Sequence, residues 1–132
     1  MTRAFVVHGA GGSAPTSRGL DEISLAGETL VADVRDGSVR RYTVTPEDFG
    51  VPRAPLEALR GGTAAENAAL IRRIFSGKAG PPRDIVVVNA AAALVASGVS
   101  ENFRDASTRA HAAIANGSAE AKLNALIDFS KI

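Results

Sequence analysis

Two adjacent carboxylates, Asp21 and Glu22, stand in the string Gly19-Leu20-Asp21-Glu22-Ile23-Ser24 and are the side chains of this sequence best suited to meeting a cation. In a strand, neighbouring residues point to opposite faces, whereas in a loop both carboxylates can converge on one hard ion. Oxygen-only ligands of this kind suit Mg2+, which keeps several waters and shares phosphate oxygens of a substrate with one or two carboxylates. The chemistry expected is therefore a contact between Mg2+ and a diphosphate. Taken as a bare dipeptide, Asp-Glu reads first as a solvated surface pair, because charged residues are mostly exposed, so its neighbours must supply the rest. His8 and Gly9 stand at the end of an apolar run and are placed to line the same site. A lone His is more often a structural hydrogen-bonder than a base, and catalysis is not assigned to His8. Gly9, Gly11 and Gly12 resemble a phosphate-binding loop only superficially: no Gly follows at the third fingerprint position, and no helix clearly begins there.

The elements around these residues follow from local pattern. Residues 4–7, Ala-Phe-Val-Val, form a short β-rich run that stops at His8-Gly9, as a buried strand does when it delivers a loop to a site. Residues 9–19 are Gly, Ala, Ser, Thr and Pro with one Arg, a composition that supplies turns and no core. Residues 29–34 and 38–44 are β-prone and flank Asp36-Gly37, a pair suited to the positive φ angles of a tight hairpin; Arg40 and Arg41 read as its solvated face. Residues 46–55 are extended and broken by prolines.

Near Gly61-Gly62, read as a turn, the chain becomes helical. Thr63 with Glu66 three residues on is a capping-box signature. Ala64, Ala68, Ile71 and Phe75, with Leu70 and Ile74 alongside, make an apolar stripe, and Gly77 can end that helix. Residues 84–97 have strand propensity in the Ile-Val-Val-Val segment and helix propensity after it. Asp84 as N-cap and Gly98 past the end favour one continuous, largely buried helix. Asn67 and Asn89 sit on apolar helix faces, where a buried amide must find partners, and structural networking is the reading preferred over substrate contact. The alanines 90–93 read as close helix packing. Residues 101–115, with Phe103, Ala106, Ala110 and Ile114 inward, and 119–129, with Leu123, Leu126 and Ile127 inward, complete the helices, separated by Asn116-Gly117-Ser118 as C-cap and N-cap.

Composition narrows the function classes. The 132 residues fit one domain with a modest core. With 45% hydrophobic but only 5% aromatic residues, that core must be built from Ala, Val, Leu and Ile, which favours closely packed helices. Fifteen basic and fourteen acidic residues, net +1, are dispersed along the chain, so no broad cationic field exists for a nucleic-acid backbone. The absence of cysteine excludes disulfides and thiolate metal sites. No apolar run approaches the roughly 20 residues that span a bilayer, and none reads as a signal peptide. The sequence is read as soluble and cytoplasmic.

Five strings then occur in one order: Val7-His8-Gly9; Gly19-Leu20-Asp21-Glu22-Ile23-Ser24; Pro46-Glu47-Asp48-Phe49-Gly50; Gly61-Gly62 with Glu66-Asn67-Ala68; and Asn89-Ala90-Ala91-Ala92-Ala93-Leu94. In that order they resemble the anthranilate phosphoribosyltransferases, over nearly the whole chain, and match the carboxy-terminal part of that family's larger α/β domain. The family is similar in fold to pyrimidine nucleoside phosphorylases. The resemblance implies transfer of phosphoribose from phosphoribosyl diphosphate to anthranilate, a step of tryptophan biosynthesis, with Asp21 and Glu22 holding Mg2+ against the diphosphate. It also implies that the family's Gly-Thr-Gly-Gly-Asp loop, Lys-His-Gly-Asn segment and anthranilate-binding arginine lie upstream, since no segment here matches them; turnover by these residues alone is not expected. Family members pass from His-Gly to Leu-Asp-Glu through a very short loop, whereas residues 10–18 make this one longer.

The expected fold is α/β, or α+β for the isolated segment: one strand, a β-hairpin and about four helices in a single partial domain. Residues 1–45 would carry the strand, the metal-site loop and the hairpin, and residues 63–131 the helical part. In the parent fold, residues 4–7 would be an interior strand, leaving exposed edges and an apolar face here. Association with the missing amino-terminal part, or with itself, follows. Two other functions stay open: a non-catalytic binding or interaction remnant of the fold, in which alanine at Asp21 and Glu22 changes nothing, or part of a nucleoside phosphorylase-like enzyme, revealed by phosphate-dependent nucleoside cleavage.

Overall fold

The computed structural model describes residues 3–12 and 19–131. Three strands, β1 (Arg3–Gly9), β2 (Thr29–Arg35) and β3 (Ser38–Val44), form an antiparallel sheet in the order β1-β2-β3. Four helices follow: α1 (Ala64–Phe75), α2 (Pro81–Ala96), α3 (Phe103–Ala115) and α4 (Ser118–Phe129). The β2-β3 connection is the expected hairpin, with Asp36 at φ 49° and Gly37 at φ 79°, the two left-handed positions of a tight hairpin turn. β1 runs on through His8 and Gly9 rather than stopping before them, because Gly9 still pairs with Thr29 across the sheet.

Strand alternation fixes what each face of the sheet does. Val31 and Val44 are buried on the inner face, where Phe5, Val7 and Tyr42 pack beside them. On the outer face Val6 is 64% exposed, Val39 57% and Leu30 47%. β1 pairs with β2 and has no second partner strand among the described residues. The inner face meets α2, whose Val88, Ala91, Ala92 and Val95 join Ile23, Leu25 and Phe49 in the main core. Phe103 links the layers, 4.6 Å from the Phe49 ring and 6.1 Å from that of Phe5. Val87, on another side of α2, joins Ile74, Ala110 and Ile114 in a second cluster. A helix serving two cores must be apolar nearly all round, and the alanines let α3 approach closely.

Several boundaries and faces differ from the sequence reading. α2 starts at Pro81 with Gly80 in the N-cap position, since proline suits the first helical turn; Asp84 lies inside the first turn, buried and paired with Arg83 at 3.1 Å. α3 starts two residues later than expected, with Asn102 accepting from the Asp105 amide. The α1 stripe is rotated: Ile74 is buried and Leu70 and Phe75 half-buried, while Ala64, Ala68 and Ile71 face solvent. α4 buries no residue: Leu126 is exposed rather than inward, as is Phe129 at the end of the helix, and Leu123 and Ile127 are half-buried. Gly117, not Ser118, is the N-cap of α4, and Asn116 caps α3 as expected. The proline-broken stretch opens with a short 3-10 turn, Pro46–Phe49, and a second, Leu56–Leu59, directly follows that stretch. The Thr63 and Glu66 capping box is formed as read. Among the described residues, no helix is long and apolar enough to cross a membrane.

Candidate functional site

Asp21 and Glu22 occupy a bend anchored at both ends. Before it, Leu20 makes an isolated antiparallel bridge to Gly9 at the end of β1, with Gly9 N–H donating to Leu20 O at 2.9 Å and Leu20 N–H donating back to Gly9 O at 2.9 Å. After it, the Ile23 N–H donates to Asn89 Oδ1 at 2.8 Å, and Asn89 Nδ2 donates to Ile23 O at 3.1 Å. Asn89 Nδ2 also donates to Ile85 O, one turn back along α2, at 3.0 Å. Hydrogen bonds therefore bracket the two carboxylate residues on either side. Both side chains are left exposed, while Ile23, Ser24 and Leu25 immediately behind them are fully buried.

The turn back to β2 is tied just as closely. Ser24 Oγ donates to Ala10 O at 2.6 Å and accepts from the Ala26 N–H at 3.0 Å. The Ser24 N–H donates to Thr29 Oγ1, and the Ala10 N–H to Glu28 O. Buried polar groups without such partners would cost about 1–3 kcal/mol each, so these hydroxyls fix the path of the loop. Gly9 is required by close approach: a Cβ there would stand 2.4 Å from Glu22 O and 2.9 Å from Ser24 Cβ. At Gly19 a Cβ would fall on the imidazole of His8, which lies over that residue's backbone. His8 itself is exposed at the strand end. Residues 13–18 of the long loop lie outside the described residues.

Electrostatics single out Glu22. Partial desolvation of its carboxyl, and secondly the charge of Asp21, raise its pKa above the ordinary glutamate value. Two mutually unfavourable carboxylates on a fixed bend are a donor set that a hard divalent cation relieves. Among the described residues no group of three or more His, Cys, Asp or Glu side chains is placed to hold a metal. Two carboxylates are too few for an all-protein cage; they fit the donor set of an Mg2+ that would be held jointly with waters and phosphate oxygens.

Sequence reasoning finds the carboxylates, His8 and Gly9 but not what holds them together. Asn89 is read there as part of a structural network, and the structure shows that network to be the one around Ile23. Its signal is a polar amide on an otherwise apolar helix. Asn67 likewise grips the Gly61-Gly62 turn, accepting from the Gly62 N–H at 2.9 Å and donating to Gly62 O at 3.1 Å.

A three-stranded sheet backed by helices agrees with what the comparisons find. Residues 1–120 match the model of the glycosyl transferase family, a/b domain, and the chain belongs to that family. Among curated proteins it is similar to the anthranilate phosphoribosyltransferase of Pelotomaculum thermopropionicum, 48% identical over 130 residues that cover 98% of this chain and 36% of that protein. It is also similar to that of Nitrosospira multiformis, 44% identical over 96% of this chain and 35% of the relative. Among solved structures, the anthranilate phosphoribosyltransferase of Thermus thermophilus superposes with a TM-score of 0.83 at 38% identity, covering 98% of this chain and 36% of that one. The Saccharomyces cerevisiae enzyme in complex with PRPP and Mg superposes at 0.80 with 25% identity, covering 94% and 34%. The resemblance read from the five strings is thereby borne out, and the chain spans about a third of the length of the relatives it matches.

Proposed function

We propose that this chain forms the diphosphate-facing metal site of an anthranilate phosphoribosyltransferase, with Asp21 and Glu22 holding Mg2+ and the rest of the apparatus supplied by further polypeptide. The observation that carries the reading is the bracketed acidic bend, in a chain similar over nearly its full length to an enzyme whose structure contains PRPP and Mg. A bound Mg2+ would supply charge to a departing diphosphate. The residues of this chain would place two carboxylates on that ion without reorganisation, because the backbone on either side is already fixed. His8 and Gly9 are assigned the substrate-facing end of β1, where the His8 side chain is exposed. In this reading the 132 residues do not turn over alone, and their partners are phosphoribosyl diphosphate, anthranilate and the complementary segment or a second copy.

The test is phosphoribosyl transfer to anthranilate by this chain combined with the amino-terminal remainder of a relative. Mg2+-dependent transfer is expected, with Asp21→Asn and Glu22→Gln each lowering kcat by about 100-fold or more, the scale on which a charge-stabilising group acts. A soluble, associated but inactive combination, or full activity in both variants, contradicts the proposal.

A further inference from the structure

Mg2+ site geometry depends on more than the two carboxylates, and one side chain in α2 controls the backbone that carries them. Asn89 is half-buried on a helix that is otherwise apolar on nearly every side, so its amide must be saturated or be costly. It is saturated, and in an uneven way: one bond returns to its own helix at Ile85 O, and two go to both backbone groups of Ile23. Ile23 is the residue directly after Glu22, 66 positions away from Asn89 in sequence. Its side chain is buried in the main core, which a hydrophobic contact alone could satisfy with the backbone rotated. The amide removes that freedom. A carboxamide that donates and accepts across one residue sets the orientation of its peptide planes, and the plane between Glu22 and Ile23 is the one that aims the Glu22 side chain.

At the other end, Leu20 is fixed by its two bonds to Gly9, so the bend of two residues has both ends determined. We infer that Asn89 is a positioning residue for the cation site, holding the Asp21-Glu22 bend in its metal-ready form through Ile23 without touching metal or substrate. This rests on the assignment of Asp21 and Glu22 as cation ligands. Residues that orient metal ligands typically change affinity by about 10–100-fold when removed, whereas a purely structural amide lowers stability and leaves affinity untouched in the folded fraction.

The probe is Mn2+ in place of Mg2+, titrated into the 15N-labelled chain while backbone amide broadening is followed. The wild type should show broadening centred on residues 20–23 that the Asp21→Asn, Glu22→Gln double variant abolishes. Asn89→Leu, branched at Cγ like Asn but larger and unable to hydrogen-bond, should need about tenfold more Mn2+ for the same broadening, with the amide dispersion of β2 and β3 retained. Asn67→Leu, which loses a side-chain amide that both accepts and donates at the Gly61-Gly62 turn, should titrate like the wild type. An unchanged titration in Asn89→Leu overturns the role of Asn89 and leaves the cation assignment standing; no broadening at residues 20–23 in the wild type removes that assignment and this inference with it. Should Asn89→Leu not fold, hydrogen exchange of the wild type decides: the Ile23 amide should exchange at least tenfold more slowly than those of Asp21 and Glu22, and equal rates overturn the inference.

Discussion

Gly9 is where the strand and the acidic bend come closest, and substitution there separates backbone approach from side-chain crowding. A Cβ at Gly9 meets the backbone carbonyl of Glu22 and the buried Ser24, neither of them the far end of a flexible side chain. Gly9→Ala should therefore destabilise the chain by about 1–3 kcal/mol, the usual cost of overpacking, read from the urea midpoint. Gly19 is a contrast, since the nearest atoms a Cβ there meets belong to the ring of the exposed His8, a side chain that can swing into solvent. The raised pKa of Glu22 gives a second prediction. Cation binding needs the carboxylate, so affinity for Mn2+ should begin to fall at a pH above the ordinary glutamate range as the solution is acidified, and Glu22→Gln should remove that part of the dependence. The sign for folding is opposite. Without metal, the native state holds this proton more tightly than the unfolded chain, so Glu22 lowers stability as pH rises from the ordinary value through the raised one. A pH-independent affinity across that window would contradict the assignment.

Between elements, the polar tie of greatest consequence joins β1, β2 and α2. Arg3 pairs with Asp33 at 2.8 Å and donates from Nη1 to Val95 O at 3.1 Å near the end of α2. The Arg3 hydrogen bond, followed by its charge, holds the Asp33 carboxyl below the usual carboxylate value despite burial. This stabilisation is present above the ordinary Asp pKa and is lost as pH falls through the depressed native one. Asp33→Ala, leaving Arg3 without its counter-ion in a largely buried position, should cost about 3 kcal/mol at neutral pH. The loss should shrink when unfolding is repeated in acid, and an equal cost at both pH values would contradict it. Arg3 and Asp33 do not stand out in the sequence because their meeting depends on sheet register, which alternation along one strand does not reveal. The hairpin, the capping box and the long apolar helix are legible, since each is fixed by residues a few positions apart. The faces of α1 and α4 are not, because an apolar stripe says that a helix can bury a side, whereas the neighbours decide which. Asp21, Glu22, His8 and Gly9 can be named as candidates from their types and neighbours; the hydrogen bonds that bracket the acidic bend join residues up to 66 positions apart and need the fold.

For the molecule as a whole, the sheet has an inner face in the core and an outer face on which Val6, Leu30 and Val39 are exposed, and among the described residues β1 has no second partner strand, only the single bridge of Gly9 to Leu20. Exposed apolar strands with a free edge associate. Sedimentation of the chain alone should show self-association that Val6→Lys and Val39→Lys reduce, and a clean, stable monomer at high concentration would count against the proposed partnership. The chain spans about a third of the relatives' length, and the proposed function places the cation site in this chain and turnover in its union with the remainder. The most direct measurement is Mg2+-dependent phosphoribosyl transfer to anthranilate, made with this chain alone and with an added amino-terminal remainder. No transfer by the chain alone and transfer by the combination are predicted; turnover by these 132 residues unaided would contradict the assignment.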